Sequence, residues 1–214
     1  VTEPVKLRVI SDEHGAEVRF DALMSGTDAE HTISLGDAID RGPASLKVLQ
    51  KLIDLAKSGD VTLFLGNHEI MFLGAMQGNQ DLMENWLYNG GIEVLKEAGV
   101  DSAITDELTS LINGLVTASQ SGDSKVHEQA ITNLDSYMKQ LIDSNILNQN
   151  NVLTQAYNDL HEYGNVYAVR DGQLYLHAGT PVDEKGRLSA EYIRDGQTYT
   201  GVGALEQMQA DLRA

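Results

Sequence analysis

The sequence predicts an α/β fold: a core of short parallel strands carrying a large helical insertion. Three observations lead there. Apolar runs in "KLRVISDEHG", "HTISLGD" and "VTLFLGNHE" each stop abruptly at glycine or polar residues, as buried strands do. A helix-patterned stretch separates the second run from the third, which makes a β-α-β unit and argues for parallel pairing. From about Ile70 to Tyr163 strand signals vanish and helical periodicity takes over.

Taken in order, Leu7 to Ile10 forms the first predicted strand and Thr32 to Leu35 the second, with Gly36 as its break. In "PASLKVLQKLIDLAKSG", Leu46, Leu49, Ile53 and Ala56 share one helical face; Pro43 suits the first turn and Gly59 the stop. Val61 to Leu65 is the third strand. "NQDLMENWLYNGGIEVLKEAG" reads as two helices broken at Gly90-Gly91, with Trp86, Leu87 and Tyr88 expected to pack the insertion. Helices are also predicted over 103–119, 124–146 and 152–162. "NVYAVRDGQLYLHAG" returns to strands, with Asp171-Gly172 as a hairpin turn. After Pro181 the text is polar and glycine-rich and predicts no definite element. The expected divisions are 1–80 for the N-terminal core, 81–163 for the helical insertion or cap, and 164–214 for the return to core strands.

With 214 residues, 42% of them hydrophobic, the chain can bury a sizeable core. A formal net charge of -17 repels nucleic-acid backbones and anionic membranes, so neither is an expected partner. A phosphate site in such a field would need local cations, arginine or metal. The absence of cysteine excludes a disulfide framework, a zinc-thiolate site and a cysteine nucleophile. No apolar run approaches the ~18 residues of a membrane span. A soluble protein is expected, its compartment (periplasmic, secreted or cytoplasmic) open.

Each predicted strand ends in candidate ligands. The first offers Asp12 and His14; the second Asp37, Asp40 and Arg41; the third Asn67, His68 and Glu69; a later strand offers His177 in "HAG". In open α/β sheets, sites collect at the carboxyl ends of strands. Singly, these groups could be ordinary strand exits, Asp40 and Arg41 a structural ion pair, His68 a core histidine. Together, oxygen and nitrogen ligands without sulfur suit Mn²⁺, Fe or Zn²⁺. Two such ions ~3.5–4 Å apart can hold a hydroxide and both charged oxygens of an in-line displacement. Two divalent cations and Arg41 would also reverse the local sign of a strongly acidic protein.

"SDEHG", "GDAIDRG", "GNHE" and "HAG", in this order, resemble the calcineurin-like metallophosphoesterases, and "DRG" with "GNHE" resembles their phosphoprotein phosphatase branch. "NHEIMFLGA" followed by "WLYNGG" is similar to bacterial and phage members of that branch. The resemblance implies a β-sandwich core flanked by helices and a metal-dependent phosphatase, with two divalent ions, Mn²⁺ foremost and Fe or Zn²⁺ as alternatives. It implies Asp12 and His14 on the first metal, Asp37 bridging, and Asn67 and His177 on the second. His68 would protonate the leaving oxygen, Asp40 would orient its imidazole, Arg41 would hold a phosphate oxygen, and Glu69 would support the arginine loop. A metal-bound hydroxide would attack phosphorus directly. The substrate implied is a phosphoprotein or phosphopeptide, on serine/threonine or tyrosine. A phosphoanhydride hydrolase acting on dinucleotide polyphosphates, and a catalytically impaired binding module on the same fold, are the alternatives.

Two departures from that family carry expectations. Glu13 stands where an apolar residue is common, and is expected to face solvent. The family's last ligating histidine, in a "GH" after the "HAG" strand, has no counterpart, since no histidine follows His177. A C-terminally truncated chain is therefore expected, with an incomplete second sheet, weakened first-metal binding, and residues 184–214 as a partial or displaced remnant.

Overall fold

The computed structural model describes residues 6–26, 28–170, 172–179, 182–185 and 187–214. Strands β1 (Leu7–Ile10), β2 (His31–Ser34), β3 (Val61–Phe64) and β4 (Gly164–Asn165) form one parallel sheet in the order β1-β2-β3-β4. The first three strands fall where the apolar runs predict them. Helix α1 (Glu17–Ser25) joins β1 to β2, and α2 (Ser45–Ser58) joins β2 to β3. Sequence patterning passes over α1, because it buries only Phe20 and leaves Val18 at the surface. The buried stripe of α2 is Val48, Leu49, Leu52 and Ile53, wider than the single face expected, because α2 packs on β3, α5 (Ile92–Glu97) and α8 (Asn151–Tyr163) together. Gly59 ends α2 in the left-handed conformation (φ 86°), its N–H returned to the carbonyls of Ala56 and Leu55.

The whole helical insertion occupies the crossover from β3 to its neighbour β4. It begins with α3 (Asn67–Met76), buried on nearly every side, as its run of apolar residues requires. Helix α4 (Gln80–Trp86) passes through a π-helical turn, Leu87–Gly91, into α5, so the Gly90-Gly91 break is a local unwinding with Gly90 at φ 108°. Helices α6 (Ser102–Ser121), α7 (Ser124–Asp143) and α8 start on the side-chain caps Asp101, Asp123 and Asn150. Helix α7 stops short of its predicted end, where Asn145 turns left-handed. A continuous core runs from the sheet into the insertion, from Ile10 and Leu63 through Phe72 and Trp86 to Leu160.

Beyond β4, β5 (Ala168–Arg170) and β6 (Gln173–Tyr175) form an antiparallel pair. Asp171, half of the predicted turn between them, lies outside the described residues. The segment that predicts no element holds a second hairpin, β7 (Glu191–Arg194) and β8 (Gln197–Thr200), and helix α9 (Val202–Arg213). These pack a small separate cluster around Ala190, Ala204 and Leu205. Among the described residues no helix is long and apolar enough to cross a membrane.

Candidate metal centre

Parallel pairing brings the carboxyl ends of β1, β2 and β3 to one rim. The loops that follow are laced together by backbone hydrogen bonds. Asp12 N–H donates to Gly36 O (3.0 Å), His14 N–H to Asp37 O (3.0 Å) and Gly15 N–H to Ala38 O (2.8 Å). Asp12, His14, Asp37, Asp40 and Arg41 all adopt positive φ, between 43° and 72°. Among the described non-glycine residues only Asn145 and Asp195 do likewise. That conformation costs about 1–2 kcal/mol at each such residue and persists only where its surroundings over-determine it. Five such residues in two adjoining loops mark the rim as the place where strain is concentrated. Glycine makes the fit possible at its tightest point: a Cβ on Gly66 would lie 2.0 Å from Asp37 Oδ1.

The nine residues picked from the sequence gather at this rim, Glu69 beneath it and the other eight on it. The buried carboxylate of Asp37 lies within reach of three of them, His14, His68 and His177. His177 Nε2 lies 3.5 Å from Asp37 Oδ2 and 3.2 Å from Asn67 Oδ1. Ligand atoms of His14, Asp37 and His68 lie within 4.8 Å of one another, and His14 Nε2 is 3.8 Å from Asp12 Oδ1. Two imidazoles are fixed in the tautomer a metal ligand needs. His14 Nδ1 donates to Ile39 O (2.9 Å) and His177 Nδ1 to Leu35 O (2.8 Å), which leaves each Nε2 lone pair facing the rim. Oxygen and imidazole donors around a shared carboxylate fit hard or borderline divalent cations.

His68 is set up differently. Its Nδ1 sits 2.6 Å from Asp40 Oδ2, and its backbone N–H donates to Asp37 Oδ1 (3.1 Å). Burial pushes the imidazole down, but the Asp40 carboxylate outweighs it and holds His68 above the ordinary histidine range. Arg41 donates from Nη1 to His14 Nε2 and from Nη2 to His68 Nε2, both at 3.3 Å. Its guanidinium therefore spans the His14 imidazole and the Asp40-paired one of His68.

Glu69, fully buried, secures the loop from beneath. One carboxylate oxygen accepts from Asp37 N–H and Gly66 N–H (both 2.8 Å), the other from Ala38 N–H (2.8 Å) and Ile39 N–H (3.3 Å). Glu13 corrects the sequence expectation: it is 2% exposed, not solvent-facing. The residues on either side, Asp12 and His14, both take positive φ, and the side chain between them is enclosed by the packed loop. Neither of its oxygens has a hydrogen-bond partner, and burial pushes its carboxyl up to about 7, reinforced by the charges of Glu69 and Asp12. Trp86 is the site residue that sequence reasoning assigned to packing alone. It is fully buried, and its indole N–H donates to Asp40 Oδ1 at 2.8 Å. The one available signal was its place as the sole tryptophan, just before the Gly-Gly break.

Comparison with known proteins adds two findings. The sequence pattern described as calcineurin-like phosphoesterase matches residues 5–181. A protein named serine/threonine-protein phosphatase 1, from Salmonella typhimurium (strain LT2), is 37% identical over 92 residues, a stretch that covers 39% of this chain and 38% of that protein. No solved structure matches.

Proposed function

Since the chain belongs to the calcineurin-like phosphoesterase family, we propose that it is a metal-dependent phosphatase that hydrolyses phosphate monoesters, phosphoproteins foremost. The observation that carries the proposal is the position of Asp37, within reach of His14, His68 and His177 at once. Asp12, His14, Asp37, Asn67 and His177 would hold two divalent cations, Mn²⁺ the first choice. Those cations would supply an activated water and neutralise phosphate charge. The chain's own groups do the rest. Arg41, reaching over His14 and His68, is placed to hold a phosphate oxygen against the rim. His68 takes a proton on Nε2 and gives it to the departing alkoxide, while Asp40 on Nδ1 balances the imidazolium. Glu69 keeps the 37–39 backbone in place through that exchange. Residues 1–80 act as the core, 81–163 as its cap, and 164–214 as the segment that returns His177 to the rim.

The test is hydrolysis of p-nitrophenyl phosphate and of phosphoserine, phosphothreonine and phosphotyrosine peptides during titration with Mn²⁺, Fe²⁺ and Zn²⁺. Metal-stimulated turnover that is lost in Asp37→Asn and in His68→Asn is the expected result. Behaviour independent of metal and untouched by either substitution would overturn the proposal in favour of a binding module.

A further inference from the structure

Asp40 is fully buried and has both carboxylate oxygens engaged: Oδ2 with His68 Nδ1 at 2.6 Å, Oδ1 with the Trp86 indole N–H at 2.8 Å. Asp40 and its neighbour Arg41 are both left-handed, at φ 72° and 65°. A pair of residues held in that conformation needs something outside its own loop to hold it. The insertion supplies two such contacts from one place. Trp86 closes α4, and its ring packs on Phe72 of α3, the helix that carries His68, with ring centroids 5.3 Å apart. Immediately after it, in the π-helical turn, Gly90 at φ 108° comes so near that a Cβ there would lie 2.7 Å from Arg41 N. Gly91 in turn lies flat on the Trp86 ring, where a Cβ would come within 2.5 Å.

We propose that Trp86 is a positioning residue for proton donation: its indole N–H pins Asp40 so that the carboxylate stays on His68, and the Leu87–Gly91 turn braces Arg41 from the same base. The insertion is thereby mechanically tied to the groups that face the substrate. This rests on the reading of His68 as the proton donor. Without the indole N–H, Oδ1 is buried unsatisfied and Asp40 is free to rotate away from Nδ1, so His68 loses its orientation.

A leaving-group comparison separates this role from packing. In Trp86→Phe, kcat on a phosphoserine peptide, whose alkoxide must be protonated to leave, is expected to fall about 10- to 100-fold. On 2,4-dinitrophenyl phosphate, whose leaving group departs unprotonated, the fall is expected to be about threefold or less, with KM for both substrates little changed. Equal losses on the two esters would overturn the proposal. Because the chain has one tryptophan, biosynthetic replacement by 3-benzothienylalanine puts sulfur for N–H at this position alone, and serves if the phenylalanine variant does not fold. NMR of the sole indole N–H decides the contact itself, whatever the activity. A slowly exchanging resonance that moves in Asp40→Asn supports the proposal, and one that exchanges freely and ignores that substitution refutes it. If the wild-type protein hydrolyses neither ester, the phosphatase reading fails while this NMR result still stands or falls alone.

Discussion

Asp37 and His177 lie 3.5 Å apart, yet they come from regions built to different standards. Around Asp37 the sheet rim is packed and cross-tied. Ile33 and Leu63 beneath it are completely buried, Glu69 accepts backbone N–H groups from 37 to 39, and two strand-end loops share their hydrogen bonds. His177 comes from the segment 168–214, whose own core is a few residues and whose strands leave Val169 and Ile193 mostly exposed, at 59% and 63%. Between that segment and the body lies a cavity of about 480 Å³, bordered by Leu65, Leu73, His161, Val166, Tyr192 and Met208. The rim is thus cross-tied throughout, whereas His177 arrives on an arm joined to the body at fewer points, chiefly α9 and the His177–Leu35 hydrogen bond. Rim substitutions should act on chemistry and stability, and arm substitutions on metal retention.

The largest effect expected is at the rim. Asp37→Asn removes the charge shared by His14, His68 and His177, and Mn²⁺-stimulated turnover should fall by at least about 10³-fold with no rescue at high Mn²⁺. A variant that recovered at millimolar Mn²⁺ would make Asp37 no more essential than the arm. Next is Glu13, a buried carboxyl without a hydrogen-bond partner at the rim. In chelator-treated protein, Glu13→Gln should stabilise the fold in a pH-dependent way. Burial raises this carboxyl from 4.5 to about 7, so below pH 4.5 both states hold its proton and the two proteins differ little. As pH rises from 4.5 to about 7, the unfolded chain has released a proton that the folded chain retains, and the wild type loses stability. Above that range the penalty is complete, about 3 kcal/mol in favour of the glutamine. Urea melts at pH 4, 6 and 8 check it; a gap that stays flat over that range would mean that Glu13 is solvated.

The same two regions differ in how much of them could be read beforehand. The rim was legible because its signals are local: apolar runs that stop at glycine, and carboxylate, imidazole and amide groups at each stop. Glu13 was misjudged because its sequence neighbours point to the rim, and the left-handed backbone at Asp12 and His14 that encloses it leaves no mark in the sequence. Trp86 could not be read, since its hydrogen bond to Asp40 joins residues 46 positions apart, with α2, β3 and α3 between them. The arm's first hairpin was read, but its second, β7–β8, was missed although a signal was present. "RDGQ" at 194–197 repeats the "RDGQ" of 170–173, and Asp195 and Gly196 both take positive φ, as a two-residue hairpin turn requires. Its strands carry too few alternating apolar residues to stand out, which is the same reason that its core is small.

The arm itself supplies the third test. His177→Ala should leave the rim folded and lower apparent Mn²⁺ affinity about 10- to 100-fold, with turnover recovering at high Mn²⁺. Backbone hydrogen exchange sharpens the contrast. Amides of β5 to β8 should exchange through openings of lower free energy than those of β1 to β3, and added Mn²⁺ should slow the arm more than the rim, since His177 would close on the metal. Uniform protection across both regions would mean that the arm folds as part of the sheet body.

The smallest effect expected is Ile193→Thr. The side chain is 63% exposed on β7 and pairs across the hairpin with Thr198, so the change should move stability by no more than about 0.5 kcal/mol and leave Mn²⁺ affinity unaltered. This weak substitution bears on the comparison because it probes whether the outer face of β7 is a true surface. A drop of several degrees in melting temperature, or loss of Mn²⁺ binding, would require that face to be covered in the working protein, with the covering layer helping to hold His177 against Leu35. The arm would then be one half of a packed unit, and its light anchoring a property of the hairpin taken alone.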